Sequence, residues 1–335
     1  MTHSAHDSEL LTFEGGPRPG TEGVRFGFFT DTTVCIGCKA CEVACKEWNQ
    51  VPTNPVGFTG NSLDNTGALG ANAWRHVAFV EQSGVPARAA TGLGAPATNE
   101  GGRAVGQGPQ AAEGGRAVGT EWFEQGERQI PLFHGSEAPS TQEQFRWLMS
   151  SDVCKHCTEA ACLEVCPTGA IFYTEFRTVV VQDDVCNGCG YCVTACPYGV
   201  IERRSPGKPG EGGAFKCTLC YDRMKGHKQP ACAQACPTDS IQFGPLEELR
   251  ARAEVRAEEL IEAGVPGVQL YGHDPNDGVG GNGAFFLLLD EPEVYGLPPD
   301  PVTPTRNLGQ LWRWVGIAAA GIAAAAGAAV AGGDR

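Results

Sequence analysis

The sequence predicts an α+β fold that is rich in loops and built from two nested modules, with a C-terminal helical extension and a single transmembrane helix. Three observations carry this. Sixteen cysteines fall into four groups of four, two groups close together and two far apart in the chain. Gly (46) and Pro (23) are frequent among the 335 residues, while charged residues make up 19%. That balance leaves little for one large apolar interior and much for loops. The third observation is an Ala-rich apolar stretch at the C-terminal end.

Each element follows from local pattern. Residues 1–24 are polar and rich in Gly and Pro, so a flexible tail is expected. Met1 to Leu10 shows no apolar core and no twin arginine, so no signal peptide of its own is expected. Phe26 to Thr30 (FGFFT) reads as a short strand leading into the first cysteine group. Residues 25–60 and 205–245 read as the two halves of a split outer module, with an inner module at 145–205 nested between them. Inside the inner module, Ile171 to Val181 reads as two short strands around a turn.

Residues 83–120 are low in complexity and carry GGRAVG twice. They lack aromatics and nearly all large apolar residues, so a disordered insertion is expected. Residues 246–305 form a C-terminal extension. There Leu246, Leu249, Ala253, Ala257 and Leu260 recur at helical spacing, after Pro245 and before Gly264. Phe285 to Leu289 reads as a buried strand. Residues 308–331 read as the membrane anchor, with Arg313 snorkelling beside Trp312 and Trp314.

The cysteine groups carry the chemistry. Cys35, Cys38, Cys41 and Cys45 are spaced C-x2-C-x2-C-x3-C, and Cys186, Cys189, Cys192 and Cys196 repeat that spacing. Cys154, Cys157, Cys162 and Cys166 have x4 in the middle, and Cys217, Cys220, Cys232 and Cys236 have x11. Proline follows the last cysteine in three groups, as Pro167, Pro197 and Pro237. This is the run by which bacterial ferredoxins hold cubane clusters. The two modules are therefore expected to be ferredoxin-like, with four [4Fe–4S] clusters in all.

In two-cluster ferredoxins the fourth cysteine of a run reaches the other cluster. Applied here, Cys35, Cys38 and Cys41 take Cys236 as fourth ligand, and Cys217, Cys220 and Cys232 take Cys45. In the inner module, Cys154, Cys157 and Cys162 take Cys196, and Cys186, Cys189 and Cys192 take Cys166. Structural zinc sites share C-x2-C pairs but seldom the third cysteine followed by x3-C-P. Disulfide frameworks belong to small secreted domains, and tight repeated groups in a long chain favour metal.

Other features read as structural. His156 beside Cys157 is expected to be a polar neighbour of sulfur, since the thiolate sets are already complete. Lys39, Lys155, His156 and Lys216 stand in or beside the groups and could offset thiolate charge. Gly278 to Gly283 matches G-x-G-x-x-G, but a dinucleotide site needs a strand before it and a helix after it, and the strand-like FFLLL follows. Glu247, Glu248, Glu258 and Glu259 read as a solvated helix face. No nucleophile–base constellation is seen, so no catalytic residue is assigned. A net charge of −14 argues against nucleic acid as a partner.

With x4 in the second group and x11 in the fourth, the cysteine pattern resembles the iron–sulfur subunits of molybdopterin oxidoreductases. Three segments narrow it: CIGCKACEVACKEWN from Cys35, CKHCTEAACLEVC from Cys154, and YGHDPNDGVGGNGAFFLLLDEPEVYGLPPDP before the apolar tail. Together they resemble the beta subunit of membrane-bound formate dehydrogenase of the N/O type, over roughly residues 25–80 and 145–330. That resemblance implies a non-catalytic electron-transfer subunit. Its partners would be a molybdopterin-containing alpha subunit that oxidises formate and a cytochrome b gamma subunit that reduces quinone. The place implied is the membrane of the cell envelope. The equivalent subunit of a dimethyl sulfoxide, polysulfide or nitrate reductase, or of a hydrogenase, is the alternative. A redox sensor or cluster-assembly scaffold is the third reading. The insertion at 83–120 and the low apolarity of the tail depart from the family pattern.

Overall fold

A computed structural model describes Pro17 and residues 23–53, 63–85, 103–104, 144–204 and 212–332. In chain order the strands are β1 (Phe26–Asp31), β2 (Arg75–Val85), β3 (Arg103–Ala104), β4 (Gln144–Val153), β5 (Ile171–Tyr173), β6 (Val179–Val181), β7 (Glu202–Arg203), β8 (Ala214–Phe215), β9 (Ile241–Pro245), β10 (Gln269–Tyr271) and β11 (Ala284–Leu288). The helices are α1 (Ala40–Asn49), α2 (Ala161–Glu164), α3 (Tyr191–Ala195), α4 (Tyr221–Lys225), α5 (Ala231–Gln234), α6 (Leu246–Glu262) and α7 (Leu308–Gly332). The fold mixes short helices with small sheets.

The central sheet has the order β10-β11-β1-β9. β1 pairs antiparallel with β9 and parallel with β11. The strand before the first cysteine group thus lies beside the strand after the fourth, and residues about 200 positions apart are held together by ladder hydrogen bonds. The C-terminal extension adds β10 and β11 to this same sheet.

Both faces of the sheet are covered, which explains the unbroken apolar run of β11. Phe29, Phe285 and Leu287 face α6 and pack on its Leu246, Leu249, Ala253 and Ala257. On the other face Phe286 and Leu288 meet Val80 and Leu148 of the β2–β4 hairpin. Truncating Leu246 or Leu249 to Ala would cost about 2–5 kcal/mol, the usual penalty for a buried leucine. The helix begins after Pro245, and Gly264 follows its end at φ +76°, a conformation costly for other residues.

β2 and β4 form the longest ladder of the described residues, and no pattern in the sequence announced it. β5 and β6 pair antiparallel as expected. The tail 1–24, apart from Pro17 and residues 23–24, lies outside the described residues. So does most of the insertion 83–120. The expectation of disorder there needs correcting at two places: residues 83–85 belong to β2, and Arg103–Ala104 forms β3, paired with β2 at Val80 and Glu81. The open edge of β2 offers unpaired backbone groups, and β3 satisfies some of them.

Candidate metal centres

Cysteines from different runs of the sequence come together. Cys35, Cys38, Cys41 and Cys236 line one small cavity. Cys154, Cys157, Cys162 and Cys196 line another. Cys45 lies in electrostatic reach of Cys217, Cys220 and Cys232. The Asn49 amide reaches both Cys45 Sγ (3.7 Å) and Cys220 Sγ (3.8 Å). Cys192 has Cys186, Cys189 and Cys166 about it. In each of these groupings one cysteine comes from a different run of the sequence.

The sets follow one another through the molecule. Cys41 of the first set stands near Cys232 of the second. Cys217 of the second is near Cys154 of the third, and Cys162 of the third is near Cys192 of the fourth. All four cysteines of the second set are buried, whereas Cys38 of the first and Cys189 of the fourth are exposed. The second set is thus the most enclosed, while the third has Cys154 buried and Cys157, Cys162 and Cys196 partly exposed.

Local backbone geometry makes these cups. Lys39, Cys220 and Gly190 start their helices from left-handed conformations, turning the preceding cysteines back toward the sulfur cavity. The glycine run has a structural task instead of a nucleotide one. It joins β10 to β11 and clamps the second cysteine run. Thr158 N donates to Gly281 O (3.0 Å), Glu159 N to Val279 O (2.8 Å) and Ala284 N to Lys155 O (2.9 Å). At Gly281, with φ +77°, a Cβ would meet Arg250 Nη2 at 2.8 Å.

The surroundings suit a negatively charged sulfur centre. Lys216 is buried and donates to Val179 O, to Cys217 O (3.1 Å) and to the Cys154 sulfur. Burial disfavours its charge, but Cys154, Cys162 and Cys217 outweigh that and lift its pKa above the ordinary value. His156 lines the same cavity and is held neutral by burial and by Lys216. Its Nδ1 accepts from Val179 N (3.1 Å), which leaves the proton on Nε2, and that atom has no partner among the described residues. A buried donor left so beside four thiols fits a sulfur acceptor.

Nothing in the sequence pattern points to Arg75. It is fully buried and donates to Ser151 and to Cys232 Sγ (3.4 Å). Glu42 is also buried; it accepts from Val77 N and from Thr66 Oγ1 (3.0 Å) and pairs with Lys39 (3.1 Å). Asp64 accepts from Lys39, His76 and the Thr66 and Gly67 amides. Burial alone would raise its pKa; His76, the Gly67 amide and Lys39 hold it well below the carboxylate range. Lys39, expected to offset thiolate charge, is thus engaged by carboxylates.

Burial pushes the thiols up: Cys41 to about 11, Cys162 to about 12, and Cys45 and Cys157 well above the ordinary value. Metal ligation needs thiolates, so loading must release these protons. A single zinc ion would need its sulfurs about 2.3 Å from one centre. Among the described residues no three His, Cys, Asp or Glu side chains converge that tightly. All-sulfur donor sets spaced as ferredoxin runs suit iron–sulfur clusters.

Comparison with known proteins agrees. The 4Fe-4S dicluster domain matches residues 145–246. The formate dehydrogenase iron–sulfur subunit of Haemophilus influenzae (strain ATCC 51907 / DSM 11121 / KW20 / Rd) is 32% identical over 289 residues, 85% of this chain and 72% of that protein. The formate dehydrogenase-O iron–sulfur subunit of Escherichia coli (strain K12) is 32% identical over 300 residues, 88% of this chain and 78% of the relative. The chain belongs to the formate dehydrogenase iron–sulfur subunit family. Its work is electron transfer through iron–sulfur centres. The family shades into a wider one. A probable anaerobic dimethyl sulfoxide reductase chain of the same E. coli strain is 29% identical over 230 residues, 68% of this chain and 77% of its own length.

Proposed function

We propose that this chain is the electron-transfer subunit of a formate-oxidising molybdopterin enzyme, holding four [4Fe–4S] clusters in two nested ferredoxin-like modules. The ligand sets would be Cys35, Cys38, Cys41 and Cys236; Cys45, Cys217, Cys220 and Cys232; Cys154, Cys157, Cys162 and Cys196; and Cys166, Cys186, Cys189 and Cys192. The observation that carries this is the meeting of cysteines from different runs, with the Cys45, Cys217, Cys220 and Cys232 group wholly buried and Cys38 and Cys189 exposed. A bound cubane accepts and returns one electron at a time.

The protein's part is spacing, burial and hydrogen bonding. The thiols fix the sites, His156 Nε2 and Lys216 offer donors to sulfur, and buried Phe28, Val77 and Met224 keep water from the middle of the row. Exposed apolar residues flank both ends: Ile36 and Val43 near the first set, Val185 and Tyr191 near the fourth. Such patches suit partner contact. The partners proposed are a molybdopterin-containing catalytic subunit and a cytochrome b subunit that passes electrons to quinone.

α7 supports a place at the membrane. It is long and apolar enough to cross one by length and composition, and it is exposed where its side chains are described. Its 25 residues span about 37 Å, against a hydrocarbon core of about 30 Å. Its many Ala and Gly residues would let it pack closely on neighbouring membrane helices.

Co-purification from membranes tests the reading. The complex should reduce quinone with formate as sole donor, and this subunit should carry about 16 irons with matching acid-labile sulfide, the content of four cubanes. A complex that oxidises another donor but not formate would move the chain to the dimethyl sulfoxide reductase branch.

A further inference from the structure

Arg75 is a guanidinium sealed in the interior, and its charge needs an answer. An arginine stays protonated in proteins, and a buried charge is expensive unless compensated. Among the described residues, no carboxylate forms an ion pair with it. Its face lies 4.9 Å from the Phe28 ring centre, and its Nε has no hydrogen-bond partner among the described residues. What surrounds it is sulfur. Nη2 donates to Cys232 Sγ at 3.4 Å. Nη1 donates to Ser151 Oγ at 3.1 Å, and that oxygen lies 3.2 Å from Cys41 Sγ. Ser151 also lines the cavity of Cys35, Cys38, Cys41 and Cys236. One side chain thus touches the second cysteine set directly and the first through a single hydroxyl.

We propose that Arg75 is a positioning residue that sets the reduction potential of both cysteine sets at this junction, with Ser151 carrying its influence to the first. The inference rests on the ligand sets proposed above. Reducing either set adds one electron and one negative charge, and the guanidinium neither gains nor loses a proton. A fixed positive charge nearby favours the more negative state and raises the potential. The second set, buried at all four cysteines, should feel it more than the first, where Cys38 is exposed and water screens the field. A purely structural role would be indifferent to charge: an arginine that only filled space could become glutamine or lysine with equal effect on potential.

The test is an EPR-monitored redox titration of the intact complex, comparing wild type with Arg75→Gln, Arg75→Lys and Ser151→Ala. Cys220→Ser and Cys236→Ser assign one signal each to the second and first sets. If these two variants do not remove separate signals, the ligand sets are wrong, whatever Arg75 does. With the signals assigned, Arg75→Gln should move the second set's equilibrium toward the oxidised form by about tenfold or more, a lowering of 59 mV for one electron. The first set should shift in the same direction by less, and Arg75→Lys should recover most of both. Unchanged potentials in a fully loaded Arg75→Gln complex would overturn the proposal, as would equal shifts in the Gln and Lys variants. Should Arg75→Gln fail to load, Ser151→Ala decides. A lowered first set beside an unmoved second set supports the bridge, and no shift at the first set overturns it.

Discussion

Changing Cys236 to Ser tests the proposed cross-linking of the first and fourth cysteine runs. Cys236 shares its cavity with Cys35, Cys38 and Cys41, although about 195 residues separate it from Cys41. Loss of one cubane should take total iron from about 16 to about 12 per chain, with one EPR signal gone. Stability should respond differently. Cross-linking a loop of about 195 residues is worth about 5 kcal/mol in closure entropy, in the treatment used for disulfides. The neighbouring set, through Cys45 and Cys217, Cys220 and Cys232, closes nearly the same loop. Opening one link while the other holds frees only a few residues on each side. Cys236→Ser alone should therefore lose iron with little closure penalty. Cys236→Ser combined with Cys45→Ser should lose about 8 irons and destabilise the chain by several kcal/mol more than the two single changes added together. Iron and sulfide analysis with thermal unfolding of the anaerobic complex reads both. Additive losses, or disappearance of the Cys217-set signal in Cys236→Ser with the Cys35-set signal kept, would refute the reasoning.

Three further outcomes follow from the structure. Asp64→Asn removes a buried carboxylate that serves Lys39, His76 and two amides, and should cost about 1–3 kcal/mol at pH 7, the penalty of leaving buried donors unmet. Because the folded carboxyl titrates well below its unfolded value of about 3.9, that contribution is complete above about pH 5 and fades as pH falls through the folded pKa; unfolding midpoints of the two proteins should converge below about pH 4, and a constant gap would contradict this. Gly281→Ala forces a left-handed φ and a contact with Arg250, and should cost about 1–2 kcal/mol from the backbone alone while loosening the clamp on Thr158; reduced iron retention on heating is the readout. Ending the chain after Asn307 should release it and its catalytic partner from membranes with iron unchanged, and a full-length complex that comes off in high salt without detergent would disprove the anchor.

The elements legible in the sequence are those with a repeating rule. The cysteine spacing marked the runs that carry the candidate ligands, and cysteines of different runs line two of the cavities. Helical periodicity marked α6, and the aromatic run FGFFT marked β1. The β2–β4 hairpin was not legible. Its strands are separated by the low-complexity stretch, and both of its faces are buried, so the alternation of polar and apolar residues is blurred. Arg75 and Ser151 look like surface residues by type. They are inside because their polar groups find sulfur and backbone partners there. Glu42 and Asp64 were illegible for the same reason, since a buried carboxylate declares itself only when its donors are assembled around it.

This arrangement couples folding to metal loading. The largest core cluster contains Cys41, Cys154, Cys217 and Cys232 among its buried residues, so thiols occupy positions that aliphatic side chains hold in an ordinary interior. A thiol packs as a small hydrophobe and contributes little burial energy. Around these thiols stand buried Arg75, Lys155 and Lys216. Lys155 pairs with Asp152, but without thiolate charge Arg75 and Lys216 would make the interior costly, since among the described residues Arg75 has no carboxylate partner and Lys216 donates to backbone carbonyls and a thiol. With metal bound, the raised thiol pKa values are overcome, protons leave, and the same cations become compensated. The groups that would weaken the empty chain stabilise the loaded one. Cluster-free chain should therefore fold poorly at neutral pH, and recovery of structure should follow iron and sulfide content rather than time alone.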